Sequence, residues 1–183
     1  MKKTILLLVA FVVLLLGLTS FASAQFKPVG SGSSLKFTVQ NLGFDVDGSF
    51  GGFQGTVLFD PQNPSSNSFD VSIDAVTVNT DNHLRDEHLR DESYFDVKNY
   101  PRIHLVSSKI SASGKNGAYS LTGQLTIKGK TKQVSFPFTV APTADGYIFK
   151  GSFKIKRKEF DVGGTSTIAD EVTIDLNVHA VKA

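Results

Sequence analysis

The amino-acid sequence predicts an all-β protein, an antiparallel barrel of about eight strands carrying one short helical insertion. Three observations predict it. Apolar residues alternate with polar ones over most of the chain, the period-2 mark of strands with one buried face. The links between the clearest runs are short and turn-like, which makes neighbours antiparallel. One stretch alone reads as helix, and it is too short to stand without a larger partner.

The strands follow in order. Leu35, Phe37 and Val39 share a face, with Lys36 and Thr38 opposite. Gly55–Phe59 is a second run, ended by the turn signal Asp60-Pro61-Gln62-Asn63-Pro64. Phe69, Val71, Ile73 and Ala75 alternate, after which the phase slips so that Val76 and Val78 align; such a slip predicts a bulge or sharp bend. Ile103 and Leu105 follow Pro101, and Val106 changes the phase again. Tyr119, Leu121, Leu125 and Ile127 alternate next, then Val134, Phe136, Phe138 and Val140 beyond the link Lys128–Thr131. Tyr147, Phe149, Phe153 and Ile155 form another run, and Val172, Ile174, Leu176, Val178 and Ala180 the last. About eight such strands close most economically into a barrel, because closure leaves no exposed edge.

The helical stretch is Asn82–Arg90, which lacks Gly, Pro and β-branched residues. Thr80, Asp81 or Asn82 can cap it, and Asp86 with Arg90 makes a favourable i,i+4 pair.

The N-terminus reads as an export signal. Lys2 and Lys3 precede an apolar run from Ile5 to Leu18, and Ala22-Ser23-Ala24 offers a small-residue cleavage site. The run is shorter than the ~20 residues that cross a bilayer. Met1–Ala24 is therefore expected to be removed, leaving residues 25–183 as a single domain in the periplasm or outside the cell. Two of the 19 basic side chains leave with it, so 17 basic face 17 acidic side chains. A neutral domain offers no support for a nucleic-acid partner. The absence of cysteine excludes disulfides and thiolate catalysis.

No catalytic or metal constellation emerges. His83 and His88 stand five apart, about 140° around a helix, where a zinc pair needs i,i+4 spacing. Asp86, Glu87, Asp91 and Glu92 lie among Arg85, His88 and Arg90, a pattern that reads as a solvated charge mixture. Phosphate-loop, nucleophile-elbow and dinucleotide-binding glycine motifs are missing.

Aromatic content is more informative. Of 15 Phe, 13 remain after residue 24, beside four Tyr and no Trp. These rings either fill a solid core or line a barrel wide enough for one apolar ligand. In the second case the lining residues are Phe37, Phe59, Ile73, Leu105, Leu125, Phe136, Phe138, Phe149, Phe153 and Leu176.

Several segments resemble the YceI family of exported, lipocalin-like polyisoprenoid-binding proteins. They are Leu35–Phe44 with Gly48-Ser49-Phe50 and Phe53-Gln54-Gly55; Asn82–Arg90 continuing through Tyr94–Val97 to Tyr100-Pro101; Leu121–Lys132; and Asp170-Glu171-Val172. The resemblance implies a lipocalin-like barrel that holds an isoprenoid-type or similar amphiphilic lipid, with no other cofactor and no enzymatic activity. Arg85, His88 and Arg90 are the candidates for a head group at the mouth. Asn41, Asp45-Val46-Asp47 and Asp91 depart from the family's more usual residues, which favours a neutral head, as in a quinone or fatty amide, over a pyrophosphate. Transient membrane contact and a homodimer are compatible with this reading. Competing readings are an enzyme acting on such a lipid at the mouth and a stress-related interaction protein with a solid core.

Overall fold

The computed structural model describes residues 24–114 and 117–183, so the expected export signal lies, but for Ala24, outside the described residues. Among the described residues there are nine strands: β1 (Gln25–Pro28), β2 (Ser34–Asn41), β3 (Phe44–Leu58), β4 (Ser68–Asn79), β5 (Arg102–Ala112), β6 (Ala118–Ile127), β7 (Lys130–Pro142), β8 (Gly146–Lys156) and β9 (Ile168–Lys182). One α-helix, α1 (His83–Arg90), and two 3₁₀ turns, Pro64–Ser66 and Arg157–Phe160, complete them.

Every strand pair is antiparallel, and β2 through β9 run in sequence order around a ring that β2 and β9 close. The expected eight-stave barrel is what forms. β1 lies end to end with β2, pairing with β3 at Phe26↔Val57 and with β9 at Phe26↔Lys182. It thus completes the stave that β2 begins. The break between them is held to β9, where the Ser33 hydroxyl accepts from the His179 backbone N–H at 2.9 Å.

Two links use two-residue turns with both residues at positive φ, Leu42-Gly43 and Lys128-Gly129, the hairpin geometry that matches strand twist. β3 is far longer than the run Gly55–Phe59 implied, and Phe59 itself falls just beyond it. Glycines at 48, 51 and 52 hide the alternation of its first half. Gly48 has a packing reason: a Cβ there would sit 2.2 Å from the Phe37 ring laid across it.

The expected phase slip in β4 is present, with a different outcome for Val76. Ser49 pairs with Asn79 and Gly51 with Asp74, so β4 carries extra residues between them. Val76 turns outward, 47% exposed, while Ala75 and Val78 are buried. The expected change at Val106 is a bulge between Ser107 and Lys109 on β5.

Buried rings close one end of the barrel. Phe59 packs edge-to-face on Tyr119, Tyr147 and Phe149 at 5.1–5.3 Å, with Phe26, Phe69 and Phe138 completing the floor. Burial, then Tyr147 and Asp60, raises the Tyr119 phenol above its ordinary range. At the outer edge of this end, hydrogen bonds from Thr143 and His179 hold the Asp145 carboxyl below its usual range.

The other end carries α1. The Asn82 side chain caps the helix by accepting from the Arg85 N–H at 3.1 Å. The expected Asp86–Arg90 pair does not form, and Asp86 is no solvated charge. It is buried and accepts from the backbone N–H (2.8 Å) and hydroxyl (2.6 Å) of Thr80. Arg90 instead donates to the carbonyls of Val76 and Val78. Backbone groups freed by the β4 bulge thereby find partners, and helix and strand are tied together. Asp86→Ala should lower unfolding free energy by about 2 kcal/mol, the scale of hydrogen bonds to a charged group, with Asp86→Asn losing less; urea denaturation measures both.

Candidate functional site

The interior between floor and α1 is hollow. A lower chamber of about 120 Å³ lies above the floor, lined by Phe69, Leu105, Leu121, Phe136, Phe138, Phe149, Leu176 and neighbours. An upper chamber of about 130 Å³ is lined by Phe37, Phe50, Leu89, Phe95, Ile127, Phe160, Val172, Ile174 and neighbours. Each is near the ~150 Å³ of an engineered apolar cavity that stays dry and takes benzene. Leu35, Ile73, Ile103, Leu125 and Phe153 line both chambers and form the waist between them. Their polar lining residues are Ser72 below and Tyr94 and Arg157 above.

A third space of about 280 Å³ opens at the α1 end, lined by Asn41, Val46, Thr80, Leu84, Arg85 and His88. It shares Phe37, Val39, Leu89, Tyr94 and Ile168 with the upper chamber. Mouth, upper chamber and lower chamber thus form one column. On β9 the column runs from Ile168 to Val178, roughly 25 Å of depth at ordinary strand rise and barrel tilt.

The residues expected along an apolar interior are placed as follows. Ile73, Leu105, Leu125, Phe136, Phe138, Phe149, Phe153 and Leu176 line the lower chamber, and Phe37, Ile73, Leu125 and Phe153 the upper. Phe59 lines neither: at 1% exposure it is the centre of the floor. Of the three head-group candidates, Arg85 and His88 line the mouth and Arg90 does not. Both arginines are engaged elsewhere. Arg85 donates to the hydroxyl and carbonyl of Thr80, and Arg90 to β4 carbonyls. His88 is exposed at the rim.

The sequence pattern gave no sign of Arg157, which sits beneath the link between β8 and β9. It is 5% exposed, and its guanidinium donates to the carbonyls of Val162, Gly164, Ile168 and Ala169 and to the Ser166 hydroxyl. The five donors of a guanidinium are all used, three on the irregular link and two on the first residues of β9, and they mould the link over the upper chamber. A basic residue after a strand carries no spacing signal for such a task.

A closed antiparallel barrel around an apolar column open at one end places the chain among β-barrels built to enclose a cavity. More narrowly, it belongs to the YceI-like domain family, whose model matches residues 26–180. A UPF0312 protein of Photorhabdus laumondii is 35% identical over 93% of this chain and 94% of its own length. The crystal structure of BcnA from Burkholderia cenocepacia superposes with a TM-score of 0.77 at 33% identity, over 82% of this chain and 98% of that one. A polyisoprenoid-binding domain from Saccharophagus degradans shares the fold, with a TM-score of 0.70 at 15% identity over 88% and 99% of the two chains.

Arg157→Met should strand several carbonyls and cost about 3 kcal/mol. Hydrogen exchange should localise the loss of protection to residues 162–169 before global unfolding.

Proposed function

We propose that the protein is an exported carrier that holds an isoprenoid-type or similar amphiphilic lipid inside its barrel, without catalysing a reaction on it. The observation that carries this reading is the stack of two apolar chambers and a mouth that share lining residues along the barrel. Each buried CH₂ contributes ~0.8 kcal/mol, so a chain filling that column binds well without a strong polar contact. The polyisoprenoid-binding neighbour of the same fold supports the ligand class, and the signal-like sequence of Met1–Ala24 supports export. With Arg85 and Arg90 hydrogen-bonded to the main chain, the mouth offers no free guanidinium pair for a pyrophosphate. A neutral head group, as in a quinone or fatty amide, suits it better.

The mouth is also where the chain exposes large apolar side chains. Leu42 and Phe44 stand at the β2–β3 hairpin tip and Leu84 on α1, each at least 70% exposed. Leu42 does so at φ +52°, a conformation that Asn or Gly adopts at lower cost. Such side chains at the mouth suit brief contact with a membrane during loading.

Native mass spectrometry of the purified protein should show a bound amphiphile at one per chain; a protein that remains empty when offered polyisoprenoids, quinones and fatty amides overturns the reading. Leu125→Trp, which fills the waist, should weaken binding of such a lipid about tenfold or more, measured by fluorescence titration with the fold checked by circular dichroism. Replacing Leu42, Phe44 and Leu84 together by Ser should slow transfer to and from lipid vesicles while leaving equilibrium affinity for a dispersed ligand unchanged.

A further inference from the structure

The wall of the barrel is not sealed along its whole height. β6 pairs with β7 from Ala118↔Thr139 to Ile127↔Lys130, and β8 with β9 from Gly146↔Val181 to Lys156↔Glu171. Between β7 and β8 the ladder runs from Pro142↔Tyr147 to Phe138↔Gly151 and stops. Lys130–Pro137 and Ser152–Lys156, all among the described residues, therefore flank a seam with no ladder pair across it.

The sequence supplies a cause. The Val140 N–H donates to Gly117 on the β6 side, and the Thr143 N–H to Gly146 at the start of β8. Because backbone direction alternates along an antiparallel strand, residues 137, 135 and 133 turn their N and O toward β8. Pro137 stands where the next ladder N–H is needed and has none to give. Side chains nevertheless keep the interrupted register: Phe136 and Phe153, which it would set opposite each other, stack at 4.2 Å and 9°.

The seam is framed like a window. Phe138↔Gly151 closes it below. Above, Lys130 meets the Asp161 carboxylate at 3.2 Å, and Lys128 donates to the Asp161 carbonyl at 3.0 Å. Outside lies a cleft of about 280 Å³, lined by Lys132, Gln133, Ser135, Lys154, Lys156 and Phe153 among others. Among the described residues, Phe153 alone lines this cleft and both inner chambers. One ring, stacked on a neighbour across an unladdered seam, separates the outside from the waist of the column.

We propose that this seam is a side portal through which the amphiphile's chain enters and leaves the barrel. The proposal rests on the carrier reading and adds a route to it. Swinging Phe153 off Phe136 opens the wall without breaking a strand ladder, whereas a route through the mouth passes α1 residues Leu84, Arg85, His88 and Leu89 before it reaches the upper chamber. The outer face of the seam is polar, with lysines, Gln133, Ser135 and unladdered backbone groups, so a polar head passes there without being buried.

The cysteine-free chain makes the test direct. Ser135→Cys places a single thiol on the exposed outer face of the seam, which a bulky methanethiosulfonate reagent blocks reversibly; His88→Cys does the same at the mouth. Dansyl-labelled undecanamide, whose head is neutral, is the probe, with affinity read by titration and exchange by stopped flow. The adduct at position 135 should slow both uptake and release about tenfold while affinity stays within about twofold, since a portal governs rates. Reduction should restore the rates, and Pro137→Val, which returns an N–H to the ladder, should slow them in the same direction. Rates unchanged by the adduct at 135 but slowed by the one at 88 overturn the portal. So does a change in oligomeric mass with unaltered rates, which would mark the seam as an edge for strand pairing between proteins. Failure of the unmodified protein to bind the probe, or any of the neutral lipids, overturns the carrier reading itself.

Discussion

Backbone hydrogen bonding around a closed ring is the constraint on which the rest of this structure depends. A barrel with an apolar interior has no water inside to satisfy a stray N–H or C=O, and each buried orphan costs on the order of 1–3 kcal/mol. At four departures from regular pairing a side chain has been recruited as the repair. Ser33 repairs the break between β1 and β2, Arg90 the carbonyls at the β4 bulge, Asp86 the turn at Thr80, and Arg157 the irregular run after β8. The buried charges of Asp86 and Arg157 are spent largely on the main chain.

That economy explains what was legible in the sequence and what was not. Alternation revealed the staves whose inward positions carry large side chains, such as Tyr119–Ile127 and Val172–Ala180, because burial of one face leaves a period of two. β1 was invisible, being four residues long and ending in Pro28. The first half of β3 was hidden because Gly48 makes room for Phe37 and so contributes no apolar mark of its own. The lining residues of the column were readable as inward-facing, yet alternation is blind to depth. It assigns Phe59 and Phe153 the same role, while packing makes one the centre of a solid floor and the other a partition between spaces. The charged helix Asn82–Arg90 misled for a related reason. Composition suggested solvated ion pairs, whereas the bulge in β4 created backbone acceptors that outcompeted them for Arg90.

The distribution of aromatic rings divides the barrel functionally. An eight-stave ring is wide enough that side chains can fill it or leave a cavity, and here both occur. Tyr and Phe interlock edge-to-face at the β1 end, where ring geometry adds to simple burial. Toward α1 the inward positions mix Phe37, Phe50, Phe95 and Phe160 with Leu, Ile and Val, and together they surround the upper chamber instead of filling it. In the proposed carrier the floor limits how far a chain can descend, and selectivity rests on length and girth more than on a charged contact.

Pro137 completes this reasoning from the opposite direction. At those four departures the interruption is mended by a side chain, but along Lys130–Pro137 the missing N–H faces a polar cleft instead of an apolar interior. There water can solvate the unladdered groups, so the interruption costs little and needs no repair. A proline inside a strand is tolerated where the strand behaves as an edge, and β7 is an edge for this part of its length alone. The sequence thus weakens its wall at the height where Phe153 stands between the outer cleft and the lower chamber, with Ile155 and Phe160 beside it facing the upper one.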